Sequence, residues 1–324
     1  MRTRNILSLL IAALLLGLAA RPHVAAQDFD PRGNPDEPVH LVLMLTDESD
    51  ARINRMDWDV NAFAPVQAGT AARASDFIDV AGRTTLTILC TDLTPIEQHG
   101  SEVPRCDPYA PEPAFFYVDD PTWSMTANPA TSITVYPPEL ANAPSDVDPS
   151  GYALVTLSDA ALETVTAQAN TIMGLTLSPA AKAFALASLY RGQGMAFEAL
   201  SMLQALPDVQ CSARRPSVDA SAVSDPLAAS PVTYLRMGEL YDILGKPDDA
   251  LRNYICAASR AEESNDPADL ALAFARQANL TTDPVRAVEL YQQAINGYAA
   301  LGAMDDANAL LEICGLRNCT LEGQ

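Results

Sequence analysis

YLRMGELYDILGKPDDALRNYICA, residues 234–257, decides the fold of the C-terminal half. Apolar and small residues recur at helical spacing on both sides of Gly245, which predicts two short helices joined by a turn. Gly238, Ala250 and Ala257 stand where the two helices would touch, and Tyr234, Tyr241 and Tyr254 where they would interlock. The signature recurs. Tyr190, Gly194 and Ala199, then Tyr241, Gly245 and Ala250, then Tyr298, Gly302 and Ala307 all keep one internal spacing. In each, the glycine is expected to end the first helix at positive φ. The alanine lets the second helix approach closely, and the tyrosine fills the crevice between them.

Working outward, Ser158 is a good N-cap ahead of DAALETVTAQANTIMGL, and Ser178-Pro179 opens a second helix with proline at its first position. AKAFALASLYRGQGMAFEALSMLQAL (181–206) repeats the hairpin pattern, as does ADLALAFARQANLTTDPVRAVELYQQAI (268–295). The latter keeps Ala287, Tyr291 and Ala294 but has no turn glycine, and its second helix is expected to run on to Leu301 and serve the last hairpin too. These residues resemble tetratricopeptide repeats, and the 234–257 copy matches that family's two helices almost throughout. The 184–206 copy departs at Ala187 and Leu203. The family's period is about 34 residues, whereas loop 207–231, rich in Ser, Ala, Asp and Pro, interrupts this array and reads as disordered or wrapping. The resemblance implies a curved stack with first-helix side chains on its concave face. Ser188 and Arg191, then Glu239 and Asp242, would hold the groove positions. Two acids against one arginine imply a partner segment carrying basic residues, while a solvated helix face is the plainer alternative.

Before the helices the character is different. VHLVLML (39–45), FIDV (77–80), TTLTILC (84–90), FFYVD (115–119) and TSITVY (131–136) are short strand-like runs separated by turn signals, which predicts a small β-sandwich or β-roll. Trp58 and FAPVQAGTAARASDFIDVAGRTTLTILCTDLT (63–94) resemble the FecR-like β domain of bacterial exported and signalling proteins. Gly69, Asp76 and a hairpin formed by strands 76–80 and 84–90 carry the likeness, although Ser75 replaces a usual glycine. The fold is what this resemblance implies, since the relay role of the family needs transmembrane and cytoplasmic parts absent from this sequence. Ten of the 24 prolines fall between Pro104 and Pro149, so the β domain is expected to end irregularly and pass into a linker. The expected organisation is α+β and multidomain. A signal peptide (1–26) and a linker (27–38) precede a FecR-like all-β domain (39–136). A Pro-rich linker (137–155), an all-α helical-hairpin array (156–316) and a tail (317–324) follow.

Arg2 and Arg4 ahead of the apolar run Ile6–Ala20, with Val24 and Ala26 before Gln27, read as a signal peptide, with an uncleaved anchor as the alternative. Removing Arg2, Arg4 and Arg21 from the 20 basic residues leaves 17 against 41 acids, a net charge of about −24. That charge disfavours nucleic acid and anionic membranes as partners. All six cysteines lie beyond the signal, where an oxidising compartment favours disulfides. Proximity in sequence pairs Cys90 with Cys106, Cys211 with Cys256, and Cys314 with Cys319. No CxxC or Cys/His ligand spacing points to a metal, and Asp57, Asp59 and Asn61 fail as a calcium loop because Ala62 and Ala68 stand at its required glycine and glutamate.

No catalytic motif or cofactor fingerprint is present, and His40 and His99 have no readable partner. Asn279-Leu-Thr281 and Asn318-Cys-Thr320 match the glycosylation sequon, which counts only in a eukaryotic secretory route. The expectation is a secreted or envelope-located bacterial interaction protein without enzymatic activity, cofactor or membrane insertion after signal cleavage, acting on an unidentified protein or peptide. One rival is a ligand-sensing module using aromatics such as Tyr109, Phe116 or Trp123. The other is a hydrolase with convergent carboxylates at the domain junction.

Overall fold

A computed structural model describes residues 40–46, 50–55, 58–73, 76–106, 157–206 and 226–315. Among the described residues, seven strands come first: β1 (His40–Leu45), β2 (Ala51–Asn54), β3 (Ala64–Pro65), β4 (Ala71–Ala72), β5 (Phe77–Val80), β6 (Leu86–Leu89) and β7 (Pro95–Gln98). They form two antiparallel sheets, ordered β4-β1-β6-β7 and β3-β2-β5. The expected runs at 115–119 and 131–136 lie outside the described residues, as do the signal peptide and the tether at 27–38.

One expectation for this half is corrected. β5 and β6 do not form a hairpin: β5 pairs with β2, and β6 pairs with β1 and β7. Gly82, at φ +66°, lies in the turn that carries the chain from one sheet to the other. Ile78, Val80, Leu86 and Ile88 then contribute to a common core from different sheets, which side-by-side pairing would not require.

The helices are α1 (Asp159–Gly174), α2 (Pro179–Gly192), α3 (Ala196–Gln204), α4 (Pro226–Ala229), α5 (Pro231–Ile243), α6 (Pro247–Ser264), α7 (Pro267–Leu280), α8 (Pro284–Ala300) and α9 (Met304–Gly315). Their starts follow from side-chain chemistry. Ser158 and Ser178 accept from the N–H of Ala161 and Ala181, and Asp283 accepts from Val285 N. Proline fills the first turn of α2, α5, α6, α7 and α8, where no helical N–H is needed. Asp283 is exposed and serves only as a cap. Asp283→Ala is therefore expected to cost about 1 kcal/mol, read as a lower denaturant midpoint at unchanged slope.

The helices pack in sequence as α2/α3, α5/α6, α7/α8 and α8/α9, with α8 shared between its neighbours. Gly194, Gly245 and Gly302 all have positive φ (75°, 67° and 74°), and Ala199, Ala250 and Ala307 are buried. In α5/α6 the Tyr254 ring lies flat against Gly238, where an added Cβ would stand 2.5 Å from Cε1. The loop expected over 207–231 is corrected at its end: α4 occupies 226–229 and α5 begins at Pro231, with Leu227, Ala228 and Val232 buried. Residues 207–225 lie outside the described residues.

The two halves do not bury separate cores. One apolar cluster joins Leu41, Leu43, Leu89 and Leu93 to Phe184, Leu200, Leu235 and Tyr254. The other joins Val42, Ile53, Ile78 and Ile88 to Leu290, Tyr291, Tyr298 and Leu310. The reason lies in β1, where His40, Leu41, Val42 and Leu43 are buried in succession. A strand covered on both faces needs a second layer, and the helices supply it.

Candidate functional site at the junction of sheet and array

The loop between β3 and β4 is pressed onto the first helices of the hairpins. Gly69, at φ +95°, brings its backbone so near that a Cβ there would stand 3.1 Å from the Phe184 ring and 3.3 Å from Val232 Cβ. Two residues earlier, Gln67 Nε2 donates to Ser264 Oγ at 2.8 Å and to Asp266 Oδ2 at 3.2 Å, at the α6–α7 turn. At the far end, Gly302 meets Asp59. The face that first helices present is therefore engaged by the chain's own β half.

Asp266 is the pivot. It is buried, and its Oδ1 accepts from the N–H of Ala268 and Asp269 to cap α7. Burial raises its pKa to about 6, against the opposing pull of those amide bonds, of the Arg55 charge and of Gln67. A small cavity of about 70 Å³ lies beside it, lined by Arg55, Trp58, Thr70, Arg236, Asp269 and Leu272 among others. The space suits a few water-sized groups. Nearby, Arg55 donates to Asp76 Oδ2 at 2.7 Å and to Ala71 O at 3.1 Å, and its guanidinium lies 5.7 Å from the Trp58 ring centre.

A folded-state pKa above the unfolded 3.8 means that the folded chain holds this proton more tightly. The contribution to stability is complete below about pH 4 and is lost as pH rises through about 6. Its size is on the order of 3 kcal/mol. Asp266→Asn is expected to flatten the stability profile between pH 4 and 7, measured by urea unfolding at each pH. An unchanged profile would show that Asp266 titrates normally.

The four expected groove residues are on the first helices, but they do not present free charge. Arg191 forks onto both carboxylate oxygens of Glu239, and Arg236 Nη1 reaches Glu239 Oε2 at 3.2 Å. These side chains are at most 6 % exposed. Ser188 is buried in the same face, and half-buried Asp242 has its pKa raised by burial, opposed by the charge of Arg276. The expected excess of acid over arginine is thus corrected: Glu239 serves Arg191 and Arg236, and Asp242 feels Arg276. Sequence spacing located the face but not the charge partners across helices.

Cys90 and Cys106 form the expected disulfide. Cys256 and Cys314 are also disulfide-bonded, and the pairings expected with Cys211 and Cys319 reach outside the described residues. Tyr109, Phe116 and Trp123 lie outside them as well. His40 packs beside the Cys90–Cys106 bridge, a proximity that no local motif announces because the three residues are far apart in sequence. Burial lowers its pKa, with the Asp92 charge opposing. His99 is exposed, with Nδ1 3.2 Å from Thr85 Oγ1.

Among the described residues no helix is long and apolar enough to cross a membrane. Comparison with protein-family models gives no match, and neither does comparison with curated proteins.

Proposed function

We propose that this chain is an exported bacterial protein–protein interaction or scaffold protein, combining a FecR-like β unit with a tetratricopeptide-like array. The observation that carries the reading is the array of packed helical hairpins turning at Gly194, Gly245 and Gly302, while the described first-helix face is filled by the β half. Gly69 packs on Phe184 and Val232, and Gln67 bonds Ser264 and Asp266. Stacked hairpins of this kind build the extended surfaces that helical-repeat binders use. The Cys90–Cys106 disulfide supports a location in an oxidising compartment. A hydrolase is the second reading, favoured by Asp266 and Asp269 beside the junction cavity, but the Asp266 oxygens already serve Ala268, Asp269 and Gln67.

Affinity capture from envelope and culture fluid tests the first reading, comparing the folded chain with heat-denatured chain. The expected result is a protein enriched only by the folded form that rebinds when purified. No such protein, together with turnover of an ester, amide or glycoside that Asp266→Asn abolishes, would replace it with the hydrolase.

A further inference from the structure

His40, Cys90 and Cys106 place one imidazole nitrogen and two sulfurs within 4.8 Å of one another in a buried part of the β half. We propose that reduction of the Cys90–Cys106 bridge converts this cluster into a three-ligand site for a thiophilic d10 cation, Cu(I) or Zn(II). Sulfur and imidazole are the ligands these ions prefer, at roughly 2.0–2.3 Å from the metal. Ligands at that distance from one ion lie roughly 3.5–4 Å from each other, within the span of the cluster.

Backbone pairing as well as the bridge presents the ligands. His40 opens β1 and Cys90 follows β6, and the neighbouring pair Leu41 and Leu89 are in register in the β1–β6 ladder. Cys90 is further fixed by its N–H, which donates to Thr94 O at 3.0 Å, and by its carbonyl, which accepts from Leu93 N at 2.9 Å. Cys106 follows the bridge that ties Glu102 to Ile78. Its Cα stands 5.5 Å from that of Cys90, so side-chain rotation is enough to separate the two sulfurs around an ion. Thr91 N–H points at His40 Nδ1 at 3.3 Å, which marks a neutral ring with a lone pair on that nitrogen. A metal takes up such a lone pair, directly or after a change of tautomer.

The step balances with a dithiol as reductant. The Cys90–Cys106 sulfur–sulfur bond breaks and takes two electrons and two protons from the dithiol, which closes to its own disulfide. Both cysteine thiols then release their protons to solvent as the thiolates bind the ion. In the bridged form neither sulfur is a thiolate, so the site is switched by redox state.

The test uses the full chain, reduced with dithiothreitol and desalted without oxygen. It is titrated with Cu(I) or Zn(II) against a chromogenic chelator, with circular dichroism recorded in parallel. The expected result is tight binding by the reduced chain in one metal arm and none at this site in the oxidised chain. His40→Gln should weaken it at least about tenfold, and Cys106→Ser should abolish it. Cys256→Ser should leave it intact, which separates this site from the other thiols. Reduced chain that loses its fold, binds neither metal, or binds equally well as His40→Gln would overturn the proposal.

Discussion

Replacing Phe184 by alanine is expected to destabilise the fold by about 3–5 kcal/mol and to do so for sheet and helices at once. Phe184 is completely buried, and its ring is the platform on which the Gly69 backbone rests. Removing it opens a cavity that the helix backbone of α2 and the turn at Gly69 are poorly placed to close. Because both apolar clusters draw residues from both halves, no part retains a core of its own. Helical circular dichroism and the fluorescence of Trp58, read in a Trp123→Phe background, should therefore report one coincident transition shifted to lower temperature. A Trp58 signal that melts separately from the helices would show that the β half is autonomous.

The second large effect is expected at Gly302. It combines φ of +74° with the closest approach between the α8–α9 turn and the β half, where a Cβ would stand 2.5 Å from Asp59 Cβ and 2.9 Å from Asp59 N. Gly302→Ala carries the left-handed cost of an L-residue and an overpacking cost, together about 2–5 kcal/mol. Gly100→Ala is the control. Its φ is +76°, yet nothing lies within 4 Å of the added atom, so only the backbone cost of about 1–2 kcal/mol applies. Equal losses in the two variants, measured by urea denaturation, would mean that the Asp59 contact yields freely.

The helical half was legible because its information is local. A tyrosine, a turn glycine and an alanine in register define one hairpin, and the caps at Ser158 and Ser178 mark helix starts within a few residues. The strands at 40–45, 77–80 and 86–89 were legible for the same reason. Their partners were not: short apolar strands are compatible with either hairpin pairing or a crossing to a second sheet, and only the packed core decides. The junction was the larger omission. VHLVLML is apolar almost without alternation, a pattern of strands covered on both faces, yet it reads equally well as one wall of an isolated sandwich. Arg191, Arg236 and Glu239 were hidden more deeply, because an ion pair between α2 and α5 leaves no periodic trace in either helix. His40 and Cys90 meet because β1 and β6 are neighbours, and Cys106 joins them from beyond the Glu102–Ile78 bridge.

The contact between Asp59 and Gly302 joins segments that are far apart in the order of synthesis. A ribosome delivers β1 long before it delivers α7, α8 and α9, whose side chains share a core with Val42, Ile53 and Ile88. Until the last hairpins emerge, the cluster of Val42, Ile53 and Ile88 lacks the helical layer that covers it, although Leu41 and Leu43 can already meet Phe184 and Leu200. Contacts of such long sequence separation close slowly, so completion of this core depends on the C-terminal half. In this design the first strand and the last helices complete one another, and neither end of the described chain is a finished unit alone.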